Sequence, residues 1–165
     1  METDTYKKLL RKAGSLLARR PYSRGELRNK LAKMGDSSHV EIVLDRLERL
    51  NLLNDVDYAY NFTLNRVTQQ GWSIPRVSNS LQKRQVAQST IDSVTARIHS
   101  ERGDENSLNA CIEKYCGRKG RPSDAKDVGR LVSHLRRHGF DADDIQRALK
   151  SVLPDKHLRR FETGD

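Results

Sequence analysis

The chain has 165 residues, of which 35% are hydrophobic and 5% aromatic, with 32% charged residues and a formal net charge of +9. These values exclude one large apolar core and favour thin, solvent-rich helical architecture, while the basic balance points to a polyanionic or acidic partner. No apolar run approaches a membrane span, the opening METDTYKKLL lacks the apolar core of a signal peptide, and two cysteines alone, Cys111 and Cys116, fit a reduced, cytoplasmic setting.

In chain order, the first helix is expected from about Asp4 to Arg20, with Leu9, Leu10, Ala13, Leu16 and Leu17 on its apolar side and Pro21 ending it. Ser23 and Glu26 then have capping-box spacing and open a short helix that turns Leu27, Leu31 and Met34 inward and stops at Gly35. Ser38 and Glu41 read as a second box, before Val40, Val43, Leu44 and Leu47. The next helix starts near Asn54–Asp57, carries Tyr58, Ala59 and Phe62, and ends before Gly71. The acidic NDVD cluster at 54–57 is read as a helix start, where carboxylates satisfy free N–H groups.

From there the grammar repeats. Ser73, Val77 and Leu81 match the earlier short helix fifty residues on, followed by Ser89 with Asp92 and by Ile91, Val94 and Ile98. A further helix starts near Asp104, presents Leu108, Cys111, Ile112 and Tyr115 on one face, and ends at Gly117. Asp127, Leu131, Leu135 and Gly139 give a third copy, then Asp143 with Gln146 and the apolar set Ile145, Ala148, Leu149 and Val152. Nothing reads as strand. The expectation is an all-α chain of three tandem three-helix repeats, at 1–53, 54–103 and 104–154, with a basic C-terminal tail at 155–165.

No catalytic constellation emerges. The glycine- and cation-rich GRKGRP at 117–122 has no preceding strand and no following Lys-Ser/Thr, so it reads as a basic linker and not a phosphate loop. Cys111, Cys116, His134 and His138 fall in a C-x4-C…H-x3-H order, but 17 residues separate the two pairs where about 12 are typical of a zinc finger. Cys111 already has a core position, and thiols five apart on a helix do not face one another. The expectation is therefore no metal, no cofactor and no enzyme activity. The basic residues remain: residues 5–50 hold twelve Lys/Arg against five Asp/Glu. Lys33, Lys83 and Arg137 occupy one repeated outward position, with Arg28, Arg84 and Arg136 nearby on the same helices. These six are the candidate partner- or DNA-binding residues, against the alternative of an ordinary solvated face.

The stretches LLARRPYSRGELRNKL, LERLNLLNDVDYAYNF and GWSIPRVSNSL, with LRRHGFDADDIQRAL near the C-terminus, resemble the RecX family of recombinase regulators over nearly the whole chain. Departures are local. The family's Leu-Asp-Asp is here Leu53, Asn54 and Asp55; its second-repeat Gly-Pro is Ser73, Ile74 and Pro75; and the glycine closing that repeat's middle helix is Gln85. The resemblance implies an elongated, curved array that lodges in the groove of the RecA filament on single-stranded DNA. It implies a monomeric, cytoplasmic, non-enzymatic modulator of filament extension, strand exchange and coprotease activity. A sequence-independent DNA-binding helical array is the rival. The tryptophan-based core of Myb-type repeats has no counterpart, since Trp72 stands alone.

Overall fold

The computed structural model describes residues 4–102 and 104–152; the expected tail at 155–165 and the side chain of Val152 lie outside the described residues. Among these residues there are nine helices and no strand: α1 (Asp4–Leu17), α2 (Arg24–Leu31), α3 (Ser37–Arg49), α4 (Asp55–Gln70), α5 (Ile74–Lys83), α6 (Gln88–Arg102), α7 (Asp104–Lys119), α8 (Ala125–Arg137) and α9 (Ala142–Val152). None of the described helices is long and apolar enough to cross a membrane.

The described residues fall in two compact units, one from residue 4 to 62 and 79–96, the other from 63–78 and 97 onward, with α4, α5 and α6 each contributing to both. In the first, α1, α2 and α3 pack on one another around Tyr6, Leu9, Ala13, Tyr22, Leu27, Leu31, Val40, Val43, Leu44, Leu47 and Leu53. In the second, α7, α8 and α9 enclose Leu108, Cys111, Ile112, Cys116, Val128, Leu131, Leu135, Ile145 and Leu149. Both cores follow helical periodicity, and each fully buried leucine contributes about 1.5–3 kcal/mol relative to an exposed one.

Local details depart from the sequence pattern at several helix ends. The box at Ser23 forms as expected: its hydroxyl accepts from the Glu26 N–H, and Glu26 accepts from the Ser23 N–H. The other three boxes do not. Helix α3 is capped by Asp36, whose carboxylate accepts from the His39 N–H at 2.9 Å, so Ser38 is already helical. Helix α6 begins at Gln88, with Ile91 bonding back to the Ala87 carbonyl, and α9 begins after Asp141. In each case the residue at the capping position lies two residues ahead of the expected one. Asp124, not Asp127, caps α8.

Three interior assignments change as well. Met34 lies beyond the end of α2 and is half exposed. Gly35 has ordinary backbone angles; a Cβ there would stand 2.9 Å from Leu9 Cδ1, so the glycine makes room and not a turn. Helix α7 runs past Gly117 to Lys119, and Gly120, at φ +85°, turns the chain. Helices α5 and α8 both end with a left-handed residue, Gln85 (φ +58°) and Gly139 (φ +88°). Val86 and Phe140 then bond back to the Leu81 and Leu135 carbonyls, the Schellman closure.

Candidate partner-binding surface

Each unit contains a place where the carbonyl end of one helix meets the amide end of another. In the first, Ser23, buried at the start of α2, donates its hydroxyl to the Arg84 carbonyl at 2.5 Å, just past α5. In the second, Ser73, buried at the start of α5, donates to the Gly139 carbonyl at 2.6 Å, just past α8, and its N–H donates to the His138 carbonyl at 3.0 Å. Free carbonyls and free N–H groups thus face one another, and the helix dipoles meet with opposite ends together. The capped stretch that opens at Ser23 is the seat of such a junction.

The junctions and the α2–α3 contact absorb two of the six candidate cations. Arg28 makes a two-point pair with Glu41, Nε to Oε1 at 2.5 Å and Nη2 to Oε2 at 3.1 Å. That hydrogen bonding from Arg28 holds the Glu41 carboxyl below its usual range. Arg84 donates to the Ser80 carbonyl and hydroxyl, lies over the Phe62 ring at 4.7 Å, and approaches Glu26 at 4.0 Å. Arg24, which sequence pattern does not single out, reaches Glu41, Asp45 and Glu48 at 2.6–2.7 Å. Partial burial opposes its charge, but hydrogen bonds to the three carboxylates outweigh it and raise its pKa. Glu41, Asp45 and Glu48 lie at i, i+4 and i+7, one face of α3, which is the signal that marks them as partners for α2.

Lys33, Lys83, Arg136 and Arg137 remain exposed, and their side chains form no ion pair with a described residue. All four lie at or within two residues of the C-terminal end of α2, α5 or α8, where a cation also complements the helix dipole. Lys33 and Lys83 belong to the first unit, Arg136 and Arg137 to the second. A further exposed feature had no sequence signal: Met34, Ile42, Leu50, Leu52 and Val56 are each at least half exposed, three of them within the basic stretch at 5–50 and two just after it. Their apolar character alone does not separate them from core positions.

The second unit also gathers three of the four metal-type residues. Cys111 Sγ lies 3.8 Å from His134 Nε2, the His134 and His138 rings are 4.2 Å apart, and one potential ligand atom from each of the three falls within 4.8 Å of the others. Cys116, buried in the same core, is not part of that group. Burial pushes the Cys111 thiol up to about 11. Burial, with the neighbouring His138 adding to it, lowers the His134 pKa.

Comparison with known proteins covers most of the chain. Residues 8–47 match the family model described as the first three-helix domain of RecX. The regulatory protein RecX of Prosthecochloris aestuarii is 31% identical over 92% of this chain and 97% of its own length. That of Halorhodospira halophila is 33% identical over 85% of each chain. Among solved structures, RecX from Lactobacillus salivarius superposes with a TM-score of 0.72 at 17% identity, over 90% of this chain and 96% of that one, which is a likeness of fold.

Proposed function

The chain belongs to the RecX family of regulatory proteins, and from that premise we propose that it is a non-enzymatic regulator of the RecA recombinase. In this reading a monomer in the cytoplasm binds the RecA filament on single-stranded DNA and mainly inhibits its extension, strand exchange and coprotease activity. The observation that carries it is the family match along nearly the full length of both chains. The division into repeats at 1–53, 54–103 and 104–154 belongs to the same proposal.

The surface supports a mixed protein and nucleic-acid target. Lys33, Lys83, Arg136 and Arg137 offer charge not consumed by internal pairing. The exposed apolar residues between Met34 and Val56 offer area of the kind protein partners bury. Arg28 and Arg84 contribute by holding α2, α3 and the first junction in place, and a direct contact to the partner is secondary for them. The net charge of +9 favours a second reading, sequence-independent DNA binding.

One experiment separates the two. The protein is added to preformed RecA filaments and to bare single-stranded DNA at near-physiological salt, beside the triple variant Lys33→Glu, Lys83→Glu, Arg137→Glu. Exposed, unpaired charges contribute little to folding, so the variant should keep its melting temperature. It should inhibit strand exchange more weakly, with a flatter salt dependence. Loss of DNA binding with filament inhibition retained would assign these residues to nucleic acid. No change in either activity would return them to a solvated face.

A further inference from the structure

We propose that Cys111, His134 and His138 form a zinc(II) site, with the Cys111 thiolate and one nitrogen from each imidazole as ligands and the fourth position open. The inference is independent of the RecA reading and rests on one side-chain cluster in the second unit.

The fold brings the three together from two helices. Cys111 occupies a buried position on α7, and His134 and His138 stand four residues apart at the end of α8, where one face presents both rings. Zinc bonds of ~2.3 Å to sulfur and ~2.0 Å to nitrogen, opened between tetrahedral and trigonal angles, place sulfur and nitrogen roughly 3.5–3.8 Å apart. The observed Sγ to Nε2 separation of 3.8 Å meets that requirement before any adjustment. The three candidate ligand atoms all lie within 4.8 Å of one another, and metal binding would draw the wider-spaced ones together.

The surroundings fit a ligand role. His138 Nδ1 lies 2.9 Å from the His134 carbonyl oxygen, to which it donates. That bond fixes the tautomer and leaves Nε2 with its lone pair, the usual outer support of a metal-bound imidazole. Gly71 lies against the sulfur, where a Cβ would stand 3.2 Å from Sγ, and the Tyr115 ring lies 4.9 Å from the His134 ring. No carboxylate joins the group among the described residues, so the donor set suits a borderline or soft ion and not magnesium or calcium. Packing alone accounts for a buried cysteine, but it does not require one imidazole nitrogen against the thiol with a second imidazole gathered beside it. Binding releases the thiol proton to solvent as the Zn–S bond forms. The metal would then tie α7 to the end of α8, beside the Ser73–Gly139 contact.

The test is a cobalt(II) titration of the full-length, untagged protein after treatment with a chelator. Expected is one equivalent bound, a thiolate-to-cobalt charge-transfer band in the near ultraviolet, and d–d bands of four-coordinate intensity that one equivalent of zinc abolishes. Zinc should also raise the melting temperature. Cys111→Ser should lose the charge-transfer band, and His138→Gln should weaken binding by at least tenfold; Cys116→Ser should keep both band and affinity. Far-ultraviolet circular dichroism is recorded for every variant, and His138→Gln, at a partly buried position outside the apolar core, tests the site without opening that core. The proposal fails if wild-type protein gives no charge-transfer band, if the band survives Cys111→Ser, if it vanishes in Cys116→Ser alone, or if folded His138→Gln binds cobalt unchanged.

Discussion

The junction at Ser23 and the junction at Ser73 are built on the same serine and on opposite distributions of bulk and charge. At Ser23 the left-handed residue keeps a side chain, Gln85, and the facing helix start gives up its own: a Cβ on Gly25 would stand 2.3 Å from Gln85 Cβ. At Ser73 the left-handed residue is Gly139, and the facing helix start carries Pro75 and Arg76. There a Cβ on Gly139 would stand 2.7 Å from both Arg76 Cβ and Ser73 Oγ. Each junction leaves one side without a Cβ. Which side is stripped is free to vary.

The charges are inverted in the same way. Three residues after Ser23, Glu26 stabilises the amide end of α2 and collects the Tyr58 hydroxyl at 3.1 Å and Arg20 at 3.5 Å, with Arg84 close by. Three residues after Ser73 stands Arg76, a cation at a helix start, where the dipole disfavours it. Its guanidinium instead stacks on Trp72 at 3.9 Å and donates to the Arg137 carbonyl at the end of α8. There a positive charge is favoured. The hydroxyl-to-carbonyl bond is therefore the common element, and the flanking residues only need to suit their own partner.

The largest effects should come from beneath both junctions. Leu31→Ala and Leu135→Ala empty fully buried positions in the two cores, and each should cost about 2–5 kcal/mol in chemical denaturation. Near-neutral results at both would mean that the two cores are not what holds the units. Next come the serines. Ser23→Ala and Ser73→Ala remove a cap and strand a carbonyl that has lost its donor, so each should cost about 1–3 kcal/mol. Similar costs would confirm the serine as the shared element. A large cost at Ser23 with none at Ser73 would break the comparison, since the Ser73 N–H bond to the His138 carbonyl would then suffice by itself.

Much of this was legible in the sequence, and the illegible part has a physical cause. The apolar faces of α3, α8 and α9 follow from period alone, and so does the helix order. Caps were harder, because Ser38 and Glu41 satisfy the box spacing while Asp36 is a better acceptor two residues earlier, and Glu41 is drawn instead to Arg24 and Arg28. The hydroxyl bonds of the junctions join residues 61 and 66 positions apart, and such isolated contacts leave no periodic trace. Among the candidate cations, Arg28 and Lys33 look alike in sequence; only the fold shows Arg28 paired and Lys33 unpaired. The cysteine and histidine pattern misleads for a related reason. A linear reading seeks four ligands in two pairs, whereas the helices bring three together and leave Cys116 aside.

The smallest effect is the sharpest test of how the two junctions divide their bulk. Gly25→Ala should cost about 1–3 kcal/mol, since its methyl would collide with Gln85 Cβ in a closely packed contact. Gln85→Gly should change stability by no more than about 1 kcal/mol, and in the stabilising direction, because glycine adopts φ +58° without strain. What it gives up is one exposed hydrogen bond, from Asn29 at 3.2 Å. Combined, the two changes move the Ser23 junction toward the arrangement at Ser73, with glycine at the left-handed position and a Cβ on the facing helix. The pair should therefore be non-additive, with most of the Gly25→Ala penalty gone in the Gln85→Gly background. An unchanged penalty would place the limiting contact at the Arg84 carbonyl, 3.1 Å from the added methyl. The bulk at this junction would then be set by backbone, and the two junctions would not be interchangeable.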